Sequence, residues 1–296
     1  EEAYYWAYSQ HPDIGYLDHP PMVSWLIWCG TRLLGNTELG VRLPAFICWV
    51  VAAFFMFRLA TNLFGKTVAF RTLLLFAALP IYFGVGLVMT PDAPLYAAWA
   101  GCLYFLERAL LAERGRAWWG VGVCLGIGML SKYTIALLGP AAMAFVLADP
   151  RSRRWLARPE PYLAAAVAAL VFSPVIVWNA NNNWASFAFQ GSRRWSGKPE
   201  FSSHLLLGEA LLLLTPIGLI GVVVAVLPSW AGGGSMPAGD RLHDRRKLFS
   251  VVLTLTPLAV FVVHSLQSQP KLNWTGPVWM AVIPLVAWSM APLGIQ

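Results

Sequence analysis

The chain has 296 residues, 58% hydrophobic and only 12% charged, with 21 Lys and Arg against 14 Asp and Glu. Soluble domains carry about 45–50% apolar and about 25% charged residues, so this balance excludes disorder and argues against a water-soluble globule. The net charge of +7 would suggest nucleic acid in a soluble protein. Here the basic residues lie in short loops between apolar runs, which points to anionic membrane lipids and to topology, with no nucleic-acid partner.

Residues 1–34 read as an external loop with interfacial helices. The first twenty are polar and aromatic, and Met22 to Leu34 is too short to cross a bilayer, with Trp25 and Trp28 placed as in an aromatic belt. Spans are predicted from about Arg42 to Leu59, Thr72 to Val88 and Leu95 to Leu106, the last two parted by Thr90-Pro91-Asp92-Ala93-Pro94. Trp118 to Leu147 reads as two short helices meeting at Ser131-Lys132-Tyr133-Thr134. Further spans are predicted at about Tyr162 to Trp178, His204 to Leu227, Leu248 to Val263 and Gly276 to Ala291. Residues 228–247, rich in Gly and Pro and then basic, read as a flexible cytoplasmic loop. The fold class is therefore all-α: one polytopic transmembrane helical bundle over 1–296, with about nine spans at ~20 residues each. No signal-peptide pattern precedes the first polar stretch, and a spanning helix upstream of Glu1 is expected.

Cys29, Cys48, Cys102 and Cys124 all sit in apolar runs without CxxC spacing, as small buried hydrophobes do. Cytoplasmic loops collect Lys and Arg, which gives a test of sidedness. One side takes Arg58, Lys66, Arg71, Arg108, Arg114, Arg116, Arg151, Arg153, Arg154, Arg158, Arg241, Arg245, Arg246 and Lys247. That side is cytoplasmic, and only the stretch around Arg193, Arg194 and Lys198 runs against the rule.

The unusual polar residues gather on the external side. Asp92, between two prolines at the mouth of a membrane helix, either caps that helix or faces an aqueous cavity and carries function, since ionisable groups at membrane depth are costly. Lys132 either snorkels to the interface or stands as a cation inside a cavity. Glu1 and Glu2 precede an aromatic stretch, Asp18 and His19 precede Pro20-Pro21, and Lys271 and Asn273 lie just outside the last span. Each could be a solvated loop residue, but acids, imidazoles and lysines converge on one face of a charge-poor chain. His11, His19 and His264 show no HxxxH or HExxH spacing, so metal ligands remain unassigned and a divalent ion stays an open question. There is no phosphate-binding loop, GxSxG elbow or dinucleotide fingerprint. Chemistry at the outer face thus needs a donor that arrives activated through the membrane.

In their order and spacing, Glu1-Glu2-Ala3-Tyr4-Tyr5-Trp6, Tyr16-Leu17-Asp18-His19-Pro20-Pro21, Thr90-Pro91-Asp92-Ala93-Pro94, Leu130-Ser131-Lys132-Tyr133-Thr134 and Lys271-Leu272-Asn273-Trp274-Thr275-Gly276-Pro277 resemble the bacterial family 39 glycosyltransferases. These are GT-C class membrane enzymes that include protein O-mannosyltransferases and the lipid A aminoarabinose transferase. The resemblance implies a bacterial inner-membrane glycosyltransferase. It would move a sugar from a polyprenyl phosphate carrier to a lipid, glycan or protein acceptor on the periplasmic face, by inverting displacement. It implies catalytic roles for Asp92, Glu1 and Glu2, and substrate binding by Asp18, His19, Lys132, Tyr133, Lys271 and Asn273. Glu1 stands where the family usually carries Asp. The competing class is a transporter or flippase of a lipid-linked or anionic solute, whose broken helices would carry substrate or proton sites. Such proteins often show internal repeats, and none is visible here.

Overall fold

The computed structural model describes residues 1–191, 201–227, 241–269, 271 and 273–290. Thirteen α-helices are described. Two lie ahead of the first span: α1 (Glu2–Gln10) and α2 (Met22–Leu34). Then come α3 (Glu38–Phe64), α4 (Lys66–Ala78), α5 (Pro80–Leu87), α6 (Asp92–Leu110) and α7 (Ala117–Met129). A 3-10 turn (Tyr133–Leu137) leads into α8 (Leu138–Ala148), and another (Ser152–Ala157) leads to α9 (Glu160–Asn181) and α10 (Ala185–Gln190). After these follow α11 (Ser203–Val226), α12 (Arg241–Ser265), a 3-10 segment (Gly276–Ala281) and α13 (Ile283–Ser289).

Local chemistry sets several of these boundaries. Thr37 caps α3 by accepting the Gly40 amide at 3.1 Å, and Glu38 follows in the positively polarised first turn. Gly65 ends α3 at φ +91°, a conformation that only glycine adopts without strain, and the chain turns straight into α4. Pro80 removes an amide and breaks the expected 72–88 span into α4 and α5, bent by 68°.

The expected apolar segments are all helical, but only four helices are long and apolar enough to cross alone among the described residues: α3, α9, α11 and Leu242–Ser265 of α12. The bent α4–α5 pair makes a fifth if counted as one span. The shortfall from about nine has physical causes. The helix α6 is 19 residues long but carries Asp92, Glu107 and Arg108, α7 and α8 are short, and the last segment is a 3-10 turn plus seven helical residues. The flexible loop expected over 228–247 lies outside the described residues as far as 240, and its remainder is corrected. Residues 241–247 are helical, the first two turns of α12. They are held there by Arg245, whose guanidinium donates to Asp149 Oδ2 at 2.8 Å and to the Leu110 carbonyl at 3.0 Å. The stretch around Arg193, Arg194 and Lys198 is likewise outside the described residues.

Helix α6 is the axis of the bundle. Fifteen of its nineteen residues are buried, against α3 on one flank and α7 on the other. Helix α7 in turn lies on α9 through small residues: a Cβ added at Gly122 would fall 2.5 Å from the Ala164 carbonyl oxygen, and one at Gly126 2.6 Å from Val171. Such close backbone approach is how membrane helices gain van der Waals packing where lipid leaves no hydrophobic drive. Helix α2 buries Val23, Ile27 and Gly30 against its neighbours and, at 13 residues, is too short to cross a bilayer alone.

Candidate active site

The N-terminal end of α6 brings three of the expected residues together. Asp92 lies in the first turn of α6 and is 4% exposed. Its carboxylate does not cap the helix. One oxygen accepts from Lys132 Nζ at 2.9 Å, the other from Asn273 Nδ2 at 2.5 Å. Lys132 reaches it because the α7 helix stops at Met129 and the chain opens to an extended conformation at Lys132 (φ −161°, ψ 133°). The Met22 amide, at the start of α2, closes the exposed end of α7 by donating to the Leu130 carbonyl at 3.0 Å. The side chains of the ion pair are 12% and 6% exposed, so each charge stands in a poorly solvated place and needs the other.

A cleft of about 460 Å³ opens beside this centre. Glu1, Thr90, Asp92 and Asn273 line its polar side, and Pro80, Ile81 and Gly84 of α5 with Leu212 and Leu213 of α11 form an apolar wall. Close by, Pro216 kinks α11, with Thr215 at φ 62°.

The other expected residues are placed as follows. Glu2 is engaged away from Asp92: Arg42 binds it through Nε and, at 2.8 Å, through a terminal nitrogen, and the Met89 amide donates to it at 2.9 Å. Burial alone would raise the Glu2 carboxyl, but the Arg42 hydrogen bonds, the Met89 amide and the Arg42 charge outweigh it and hold it below its ordinary 4.5. Asp18 accepts from the hydroxyls of Tyr4 (2.8 Å) and Tyr8 (2.6 Å), while the Gln190 amide donates to its carbonyl. His19 packs edge-on against Tyr5, ring centroids 5.5 Å apart. Tyr133 leaves the Asp92 centre and packs against Phe172 and Phe187, its hydroxyl 3.3 Å from Ser186 Oγ. Lys271 is exposed, with its carbonyl accepting the Trp274 amide.

Two participants escaped the sequence reading. Arg42, read there as the start of a span, is the counter-ion of Glu2. Buried Tyr5 sits where burial and then the charges of Glu1, Asp18 and Asp92 push its hydroxyl far above the ordinary value, so it stays a proton donor at neutral pH. Its signal was the third-to-fourth residue spacing from Glu1 and Glu2, on a short helix that the sequence marks only as polar and aromatic. Among the described residues no three His, Cys, Asp or Glu side chains gather as a metal site. The Asp92 oxygens are engaged by an ammonium and an amide, a donor set that does not fit a divalent ion.

Solved structures share this architecture. That of ArnT from Cupriavidus metallidurans bound to undecaprenyl phosphate superposes with a TM-score of 0.75, over 97% of this chain and 54% of that one, at 18% identity. The archaeal oligosaccharyltransferase AglB from Archaeoglobus fulgidus follows at 0.55, over 97% and 46%, at 15% identity. The fold is thus that of a multi-pass membrane protein with the GT-C type of helical bundle. The chain belongs to the dolichyl-phosphate-mannose-protein mannosyltransferase family, whose sequence model matches residues 18–178, more than half of it. It is also similar to two proteins of Rhizobium johnstonii. A lipid A galacturonosyltransferase, RgtD, is 27% identical over 98% of this chain and 60% of its own length. A lipopolysaccharide core galacturonosyltransferase, RgtB, is 24% identical over 94% and 57%. The chain therefore spans about three fifths of the length of these relatives.

Proposed function

We propose that the protein is an inverting glycosyltransferase of the bacterial inner membrane. It takes a sugar from a polyprenyl phosphate carrier and passes it to a lipid-borne glycan on the periplasmic face. The observation that carries this reading is the buried Asp92 carboxylate, held by Lys132 and Asn273 at the edge of a cleft with one polar and one apolar wall. Family membership and the sugar-transferring relatives support it.

The chemistry follows from the parts. In a single displacement the bond between the anomeric carbon and the carrier phosphate breaks, its electron pair leaving on the phosphate. A bond to the acceptor oxygen forms on the opposite face, and the acceptor proton must go to a base. Asp92, aimed by two donors, has lone pairs left to accept that proton. Glu1, exposed on the same cleft, is the second carboxylate within reach. Lys132 has three N–H donors and spends one on Asp92, so it can also meet the departing phosphate, whose charge develops in the transition state. Lys271 and His19 are the further groups we assign to the carrier phosphate, and the apolar α5–α11 wall suits its isoprenoid chain.

Reconstitution of the full-length protein with radiolabelled polyprenyl phosphate sugars and lipopolysaccharide precursors tests the proposal. Label should pass from donor to acceptor. Movement of an intact solute or intact donor across the vesicle, with no donor consumed, would instead make the protein a transporter.

A further inference from the structure

Helix α1 joins two polar sites. Glu1, just ahead of it, lines the Asp92 cleft. Ser9 and Gln10 at its far end, about 14 Å on at 1.5 Å per residue, line a second cleft of about 380 Å³. Trp28 and Arg32 from the last two turns of α2, and Asn36 from the turn into α3, face it from the other side. The Arg32 guanidinium lies over the Trp28 ring, 5.4 Å from the centroid, which gives an exposed side chain a fixed direction. An arginine in the last turn also complements the helix dipole, but that role asks for no such direction. None of its N–H groups meets an acceptor among the described residues, and no Asp or Glu among them lines the cleft. A stacked guanidinium of this kind takes phosphate or carboxylate in a two-point grip. Beside it, the Asn36 carbonyl accepts from the Trp6 indole at 3.4 Å, which leaves its amide nitrogen to donate. Gln10 donates to Ser9 Oγ at 3.2 Å, which leaves its carbonyl to accept. A donor and an acceptor next to a cation match sugar hydroxyls next to an acidic group. Apart from Trp28, no described lining residue is hydrophobic, so an acyl chain finds no bed here.

We propose that this cleft seats an acidic sugar of the acceptor, one that carries a phosphate or a carboxylate, while a neighbouring sugar presents its hydroxyl to Asp92. Arg32 grips the acid, and Gln10 and Asn36 meet the ring hydroxyls. The inference rests on the glycosyltransferase reading above and adds the class of acceptor to it: a charged glycan rather than a neutral one. Arg32 stands away from the reacting atoms, so it governs how tightly the acceptor is held and not how fast the bound acceptor reacts.

Binding measured without donor, on the full-length protein in phosphatidylcholine nanodiscs, reads the cleft whether or not transfer occurs. The probes are a phosphorylated glucosamine disaccharide, the same disaccharide after phosphatase treatment, and digalacturonate. At least one acidic probe should bind, and the neutral disaccharide should bind about tenfold more weakly or worse. Arg32→Gln, at an exposed position, should weaken the acidic probe by about tenfold, as loss of a charge-assisted contact requires. Arg32→Lys should restore part of that loss, and both variants should keep the native unfolding midpoint. In the transfer assay Arg32→Gln should raise the KM for acceptor at the native kcat. No binding of either acidic probe, binding that Arg32→Gln leaves unchanged, equal binding of the neutral disaccharide, or displacement of the probe by phosphatidylglycerol in the nanodisc would each overturn the proposal. Absence of transfer by the native protein, with Arg32-dependent binding intact, would overturn the glycosyltransferase reading instead.

Discussion

At the scale of single residues, the buried Asp92–Lys132 ion pair is where the proposal predicts that stability and chemistry change together. Removing one partner of a buried ion pair leaves the other charge uncompensated, at a cost of about 3 kcal/mol. Asp92→Asn should therefore lower the thermal unfolding midpoint clearly, and adding Lys132→Met to it should recover most of the loss. An Asp92→Asn protein as stable as the native one would show that Lys132 reaches water. Asn273→Ala keeps both charges but leaves one oxygen of the buried Asp92 carboxylate without its donor, so it should cost about 1–3 kcal/mol, read as a lower unfolding midpoint, and turnover should fall as the base loses its aim. Glu2 gives a different signature. Its carboxyl is held below 4.5, so the stability it contributes is present above that value and is lost as pH falls through the lower, folded-state value. Thermal stability should decline below about pH 4.5, and Arg42→Gln should make that decline shallower. An acid limb indifferent to Arg42→Gln would contradict the assignment. The sequence marks Asp92, Lys132 and Asn273 singly, as polar residues at apolar helix mouths. Their meeting is not legible, because 40 and 181 positions separate the partners from Asp92. Nor is Arg42 legible as a partner of Glu2, 40 positions away, since nothing local links them.

At the scale of elements, hydropathy finds where helices lie but not how they are cut. The break at Ser131–Thr134 stands out because a charge interrupts an apolar run, and the structure turns there, with a 3-10 segment from Tyr133. The break at Leu79–Pro80 is carried by one proline inside an unbroken apolar run, and the expected single span hides it. The early start of α12 is tertiary in origin. Arg245 is drawn to Asp149, whose carboxyl burial would raise but whose bonds to Arg245 and Ser152 hold down. The small-residue face of α7 is the element on which the packing depends most sharply. Gly122→Val places a side chain against the Ala164 backbone carbonyl, which cannot rotate away. It should cost about 1–3 kcal/mol or more, read as a lower unfolding midpoint. An unchanged midpoint would mean that α7 and α9 slide apart freely.

At the scale of the whole molecule, Asp92 and the arginine-rich turns stand at opposite ends of α6, about 28 Å long at 1.5 Å per residue, and the charge asymmetry of the loops predicts that the arginine-rich end faces the cytoplasm. Single cysteines in a background with Cys29, Cys48, Cys102 and Cys124 all replaced by Ser test this sidedness. Asn36→Cys should react with a membrane-impermeant thiol reagent added outside intact cells, and Arg153→Cys only after the membrane is opened. The reverse pattern would turn the molecule over and put the cleft on the wrong side for the proposed carrier. The central claim is that the cleft at Asp92 transfers sugar, and the most direct measurement compares native protein with the Asp92→Asn, Lys132→Met variant in the radiolabelled donor assay. The variant should stay folded, yet transfer sugar at least about 100-fold more slowly, as loss of a general base requires. Transfer at the native rate by that variant would contradict the account.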